Sequence, residues 1–162
     1  MSSAPLDVKA LRNVFSLRVR GVRLVVPSAC VAGVIAFDAP TRVPRTPPHI
    51  LGLLPYGDGA LAVVDLALFL DIGATSDSHD GLTTRRVVVT RHGELEAGLL
   101  CDQTHGVLGF ESSSLEPPSV LKAGRLAEFV SWEFDDTTSR VGLLDVVSVL
   151  EKARVISTRV KR

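Results

Sequence analysis

Leu61-Ala-Val-Val-Asp-Leu-Ala-Leu-Phe-Leu70 returns further along the chain as Val141-Gly-Leu-Leu-Asp-Val-Val-Ser-Val-Leu150. Both copies run apolar, small, apolar, apolar, Asp, apolar, and both close on Leu. A second echo precedes each copy. Phe15-Ser-Leu-Arg-Val-Arg-Gly21 and Val87-Val-Val-Thr-Arg-His-Gly93 are strand-like segments that run into a Gly turn. A further apolar stretch follows in each, ending at Gly33-Val34 and at Gly106-Val107. Self-similarity at a long period marks a repeated structural unit. Two copies are too few for a solenoid, so the chain reads as two related halves packed together.

A length of 162 residues suits one domain, or two small subdomains that share a core. The hydrophobic share of 46% and the charged share of 22% are those of an ordinary globular protein. Eighteen Lys and Arg balance eighteen Asp and Glu, so no excess charge points to a nucleic-acid or anionic-membrane partner. The basic run Thr158-Arg-Val-Lys-Arg162 is short and reads as a solvated tail. No apolar stretch is long enough to span a bilayer. Met1-Ser-Ser-Ala-Pro-Leu-Asp7 lacks a charged region followed by an apolar one, so no secretory signal is expected. A cytoplasmic location without membrane insertion follows as an expectation. Cys30 and Cys101 sit among apolar neighbours without CxxC spacing, which reads as two buried structural thiols.

Along the chain, residues 1–13 read as a flexible start. Phe15 to Val26 reads as strand, turn at Gly21, strand, and Val31 to Phe37 as a short strand. Asp38 to Pro48 holds four of the nine prolines and is expected to be an extended loop. Ile50 to Leu54 and Leu61 to Asp65 are strands about the turn Pro55-Tyr-Gly-Asp-Gly59, and Leu66 to Leu70 starts a short helix. The small, polar residues 73–84 form a linker between subdomains 14–72 and 85–152. Strands follow at Arg86 to Thr90, Glu94 to Cys101 and Gly106 to Phe110. Leu115 to Pro118 is a loop. Glu128 to Phe134 and Arg140 to Leu144 form a hairpin. Val146, Val149, Leu150 and Ala153 fall at helical spacing and predict a C-terminal helix, with 153–162 as a tail. Short strands with Gly and Pro at the turns indicate a mainly β fold of two small, five-stranded, antiparallel barrel subdomains around a shared core.

Catalytic chemistry finds little support. His49, His79, His92 and His105 show no metal-ligand spacing, and no Cys/His cluster forms a metal set. There is no nucleotide-binding glycine loop and no nucleophile signature, so no cofactor is expected. Asp65 and Asp145 stand between a strand and a helix, where an Asp side chain caps backbone N–H groups. The competing enzyme reading is a small hydrolase or isomerase using Asp65, Asp102 and Asp145, and it requires at least two of them in one pocket. Val31, Val34, Ile35 and Phe37 form an apolar cluster. Tyr56, the only Tyr, is either a partner anchor or a ring that covers a barrel end. Trp132 reads as core.

These residues together resemble a known family. The order Phe15, Gly21, Pro27, Val43-Pro44, Pro47-Pro-His-Ile50-Leu-Gly52-Leu-Leu54 and Val63-Val-Asp65-Leu66 is similar to that of the CheW family of chemotaxis coupling proteins. Arg86-Val-Val-Val89, Gly98-Leu-Leu-Cys-Asp102, Gly106-Val107-Leu108, Pro117, Phe129-Val130 and Val141-Gly-Leu-Leu-Asp145 continue the likeness, which covers about residues 13–152. The resemblance implies two SH3-like five-stranded barrels and a non-enzymatic adaptor. Its implied partners are the cytoplasmic tip of a chemoreceptor (a methyl-accepting protein) and the regulatory domain of a chemotaxis histidine kinase, in arrays at the membrane. It implies a receptor surface at Val31, Val34, Ile35, Tyr56, Gly57, Asp58, Leu99 and Val107. The chain departs from the family at Pro55-Tyr56-Gly57-Asp58, where members carry Asn-Leu-Arg-Gly. The Arg is lost and an acid stands beside its position. A Pro is also missing at Ala62, and a Gly near Trp132. These changes predict a divergent adaptor that keeps one partner contact; a kinase fragment or decoy is a third reading.

Overall fold

A computed structural model describes residues 7–73, 85–118, 125–137 and 139–152. Ten strands alternate with short helices. The strands are β1 (Asn13–Val19), β2 (Val22–Pro27), β3 (Val31–Ala36), β4 (Ile50–Tyr56), β5 (Gly59–Asp65), β6 (Arg86–His92), β7 (Leu95–Cys101), β8 (Gln103–Gly109), β9 (Val130–Asp135) and β10 (Arg140–Leu144). The helices are α1 (Leu66–Phe69), α2 (Leu126–Phe129) and α3, residues 146–152. The strands form two five-stranded sheets. Sheet I has the order β8-β1-β2-β10-β9, and sheet II the order β3-β6-β7-β5-β4.

The two orders are the same order. Replacing β1, β2, β8, β10 and β9 by β6, β7, β3, β5 and β4 turns sheet I into sheet II. In both sheets the second strand of the echoed hairpin pairs in parallel with the strand that opens the quoted repeat: β2 with β10, and β7 with β5. The duplication therefore holds, but the sheets do not follow the expected subdomains 14–72 and 85–152. Each half gives its first hairpin to one sheet and its last three strands to the other. Residues 74–84 lie outside the described residues; the strands before and after them, β5 and β7's partner β6, both belong to sheet II.

The continuous apolar runs have a physical reason. An alternating pattern buries one face of a strand, whereas an unbroken run buries both. In β5, Leu61 and Val63 face a small cluster with Leu54, Val87, Val89 and Leu100 inside sheet II. Ala62 and Val64 face the large cluster that fills the space between the sheets. β1 divides likewise: Val14 joins Val25, Phe110, Val141 and Leu143 inside sheet I, while Phe15, Leu17 and Val19 join the shared core. The shared core also takes Leu66 and Phe69 from α1, Leu126 and Phe129 from α2, and Val146, Val149 and Leu150 from α3. Phe69 and Phe129 pack at 4.7 Å between ring centroids, with the Arg125 guanidinium over both rings.

Local differences from the sequence reading are small and explicable. β4 continues through Tyr56, because Gly57 alone supplies the positive φ of 56° that the two-residue Gly57-Asp58 loop requires. Glu128 lies in α2, not in a strand. β8 begins at Gln103, earlier than Gly106. Asn13 already belongs to β1, and the chain before it makes a 3-10 turn at Val8–Ala10. Trp132, expected in the core, is 37% exposed because β9 is a sheet edge. Cys30 and Cys101 are free and buried. Burial, with Asp102 adding to it, pushes the Cys101 thiol up to about 12.

Two imidazoles are held below their ordinary value of 6.5. His49 is lowered by burial and then by Arg125; its ring stands edge-on to Phe69 at 5.1 Å. His105 is lowered by burial and then by Arg18 and Arg23. A lowered folded pKa means that the unfolded chain binds the proton first. Stability is therefore full above about pH 6.5 and falls as pH drops through that value. The melting temperature is expected to be lower at about pH 5.5 than at about pH 7.5, and a His49→Gln/His105→Gln variant should lose part of that slope. An equal slope in the variant would remove the histidines as its cause.

Candidate functional site

Both copies of the repeat use their Asp in the same way. Asp65 caps α1: its Oδ1 accepts from Ala67 N at 3.0 Å and Leu68 N at 3.4 Å. Asp145 caps α3, accepting from Ser148 N at 3.2 Å and Ser148 Oγ at 2.7 Å. Their own amides donate to equivalent carbonyls, His49 O at 2.8 Å and Phe129 O at 2.6 Å. Asp102 accepts from Arg20 N at 2.6 Å. Arg85 stands 3.7 Å from Asp65 and 4.0 Å from Asp102 while its guanidinium covers the Phe37 ring at 5.4 Å. Two of the three candidate carboxylates thus share one guanidinium, and each has a backbone N–H to hold. Asp145 stands apart at the start of α3.

Two surface hollows among the described residues do not gather two of these acids. One, of about 500 Å³, is enclosed by the proline loop and β4 from Arg42 to Leu51 and holds no carboxylate. The other, of about 310 Å³, lies between Val8, Leu11, Pro27, Val147 and the start of α3, and contains Asp145 alone of the three. Among the described residues, no three His, Cys, Asp or Glu side chains converge as a metal set.

Four large apolar side chains are exposed among the described residues, Val34, Leu68 of α1, Val107 and Trp132 of β9, and two of them lie on equivalent strands. β3 and β8 terminate their sheets at equivalent positions, and each has a hydrogen-bonded neighbour on one side only. Their side chains alternate in exposure, and Val34 and Val107 stand out at 40% and 60% exposed. Large apolar side chains on an unpaired sheet edge are a surface suited to another protein. Val31 and Ile35 share β3 with Val34 and are half-buried, Val31 against the shared core and Ile35 against the interior of sheet II.

Tyr56 is half-buried against the Leu54, Leu61 and Val87 cluster. Its hydroxyl lies 3.4 Å from where a Cβ on Gly33 would stand, so it bridges from β4 to β3, the two ends of sheet II. Gly57 and Asp58 project beyond it, exposed. Leu99 is corrected outright. It is 0% exposed, in the shared core on β7 between β6 and β5, and touches no surface. The likeness placed it at the surface, yet Gly98-Leu-Leu-Cys101 is an unbroken apolar run of the kind buried on both faces.

The chain is thus a double five-stranded sheet around one core, with Asp65 and Asp145 capping helices and Val34 and Val107 exposed on its edge strands. The chain belongs to the CheW-like domain family, whose model matches residues 13–154. It is similar to the protein FrzA of Myxococcus xanthus, 34% identical over 104 residues, which cover 64% of this chain and 62% of FrzA. Its fold is similar to that of the scaffolding protein TtCheW of Thermoanaerobacter tengcongensis, with a TM-score of 0.70 and 21% identity over 83% of this chain and 88% of that one. No helix among the described residues is long and apolar enough to cross a membrane.

Proposed function

We propose that this chain is a cytoplasmic, non-enzymatic adaptor of a chemosensory signalling system that docks on a chemoreceptor tip or on the regulatory domain of a histidine kinase. Family membership supports the role, and the exposed Val34 and Val107 on equivalent sheet edges carry the reading of how it docks. The receptor contact centres on Val34, with Val31 and Ile35 beside it on β3, Gly57 and Asp58 at the neighbouring turn, and Val107 on the other sheet. Leu99 takes no part. The turn that carries Arg in the resembling family here presents Gly57 and Asp58. A planar bidentate donor is absent and a carboxylate is added, which disfavours any partner acid docked there. The adaptor accordingly keeps one of its two partner contacts.

Pull-down with the cognate receptor tip and kinase regulatory domain tests this. Binding of one and loss of the other is expected, and normal affinity for both would reject the one-contact reading. Val34→Asp should weaken the retained interaction at least about tenfold, since a charge is forced into an apolar contact. Its melting temperature should stay within a few degrees of the wild type, because an exposed site away from the core tolerates substitution. A collapse in melting temperature that matches the lost binding would make Val34 a core residue instead.

A further inference from the structure

Arg18 of β1 and Arg23 of β2 are direct cross-strand partners. Opposite residues in an antiparallel pair project from the same face, and like charges placed so repel. Arg23 is balanced: it pairs with Asp136, and its Nε donates to Ser16 Oγ at 3.2 Å. Asp136 also accepts from Thr137 N at 2.8 Å. Arg18 is not balanced. Its Nε is shut away from solvent and meets no acceptor, and no ion pair reaches it among the described residues. Ser139 Oγ is buried and unpartnered in the same way. It belongs to the turn that Arg23 grips through Asp136, which closes with Asp136 N donating to Ser139 O at 2.9 Å. From the other side, β8 sets Gln103 opposite Arg18 and carries the exposed His105 at the point where the β1–β8 register shifts.

Two cations on one face, a buried guanidinium N–H and a buried hydroxyl are costly to leave without acceptors. A carboxylate cap, such as Asp136 gives Arg23, is not provided for Arg18. We propose that this end of sheet I binds a single oxyanion, a carboxylate or a phosphate group, seated on the Arg18 guanidinium with His105 beside it. The planar guanidinium matches two oxygens of such a group at once. The anion supplies the acceptors and relieves the repulsion between Arg18 and Arg23. This site is distinct from the β3 edge and the Gly57-Asp58 turn, and it stands whether or not the adaptor role does.

Thermal melts of the full chain near neutral pH test it, in sodium phosphate against sodium chloride at matched ionic strength and with added hexaglutamate in a third arm. Phosphate or hexaglutamate should raise the melting temperature by about 3 °C beyond chloride. Arg18→Met should abolish that excess and, in chloride alone, melt no lower than the wild type. An excess with hexaglutamate only assigns the anion to a protein carboxylate; an excess with phosphate only assigns it to a free oxyanion. No excess with either, or an excess that persists in Arg18→Met, overturns the proposal. Should that variant not fold, the wild-type His105 NMR signal decides. Its titration midpoint should move up on adding the effective anion, and a midpoint that stays put overturns the site.

Discussion

Residues 1–73 and 85–162, produced as separate chains, should each be unfolded, and mixing them should restore the native β-sheet signal. The reason is the exchange of hairpins. Sheet I takes β1 and β2 from the first piece and β8, β9 and β10 from the second; sheet II takes β6 and β7 from the second and β3, β4 and β5 from the first. Alone, either piece has two separate hairpins and one strand without its partner, since β3 pairs with β6 and β8 with β1, and all would expose the face that now fills the shared core. Hairpins of two strands are marginal in water, and two of them without their shared core are little better. Circular dichroism of each piece and of the mixture measures this. A first piece that folds by itself would show that its strands can pair in another order.

Gly52→Ala should lower stability by about 3 kcal/mol or more, a drop of roughly 6–12 °C in melting temperature. Gly52 has φ of +141°, a region that side chains avoid. A Cβ there would lie 2.3 Å from the Thr41 carbonyl oxygen. That carbonyl cannot retreat cheaply. It accepts from Leu53 N at 2.8 Å, while Thr41 N donates to Leu53 O at 2.9 Å, and this bridge ties the proline loop to β4. Strain and steric overlap therefore add. The same edge of sheet I is tied by Glu116 to Glu133, with Trp132 in the place of the glycine. A chemical melt showing a loss below about 1 kcal/mol would mean that the loop shifts freely, and the bridge would then be incidental.

Much of the architecture was legible because it was local. The strand before Gly21 and the strand before Gly93 are the equivalent β1 and β6, and Asp65 and Asp145 are equivalent caps. A cap needs only its own next few residues, so its signature is written in order along the chain. Partner choice is another matter. Alternation along Phe15 to Val26 shows a hairpin, but nothing in it says that the parallel neighbour of β2 will be β10, more than a hundred residues away. The contiguous division at 73–84 followed from assuming that near strands pair, which fails for both exchanged hairpins. The candidate site was legible in part. Val34 and Val107 each follow a glycine in the echoed stretches, and both are exposed. Leu99 was misplaced because a likeness gives positions without burial. Arg18 gave no signal, since its conflict with Arg23 exists only once the register is known.

The exchange also has a consequence during biosynthesis. The β1–β2 hairpin leaves the ribosome more than a hundred residues before its parallel neighbour β10. Until then the hairpin's outer edge and one apolar face have no native cover. Translation must pass β10 before sheet I can close, and the growing polypeptide is a natural client for holding chaperones over that interval.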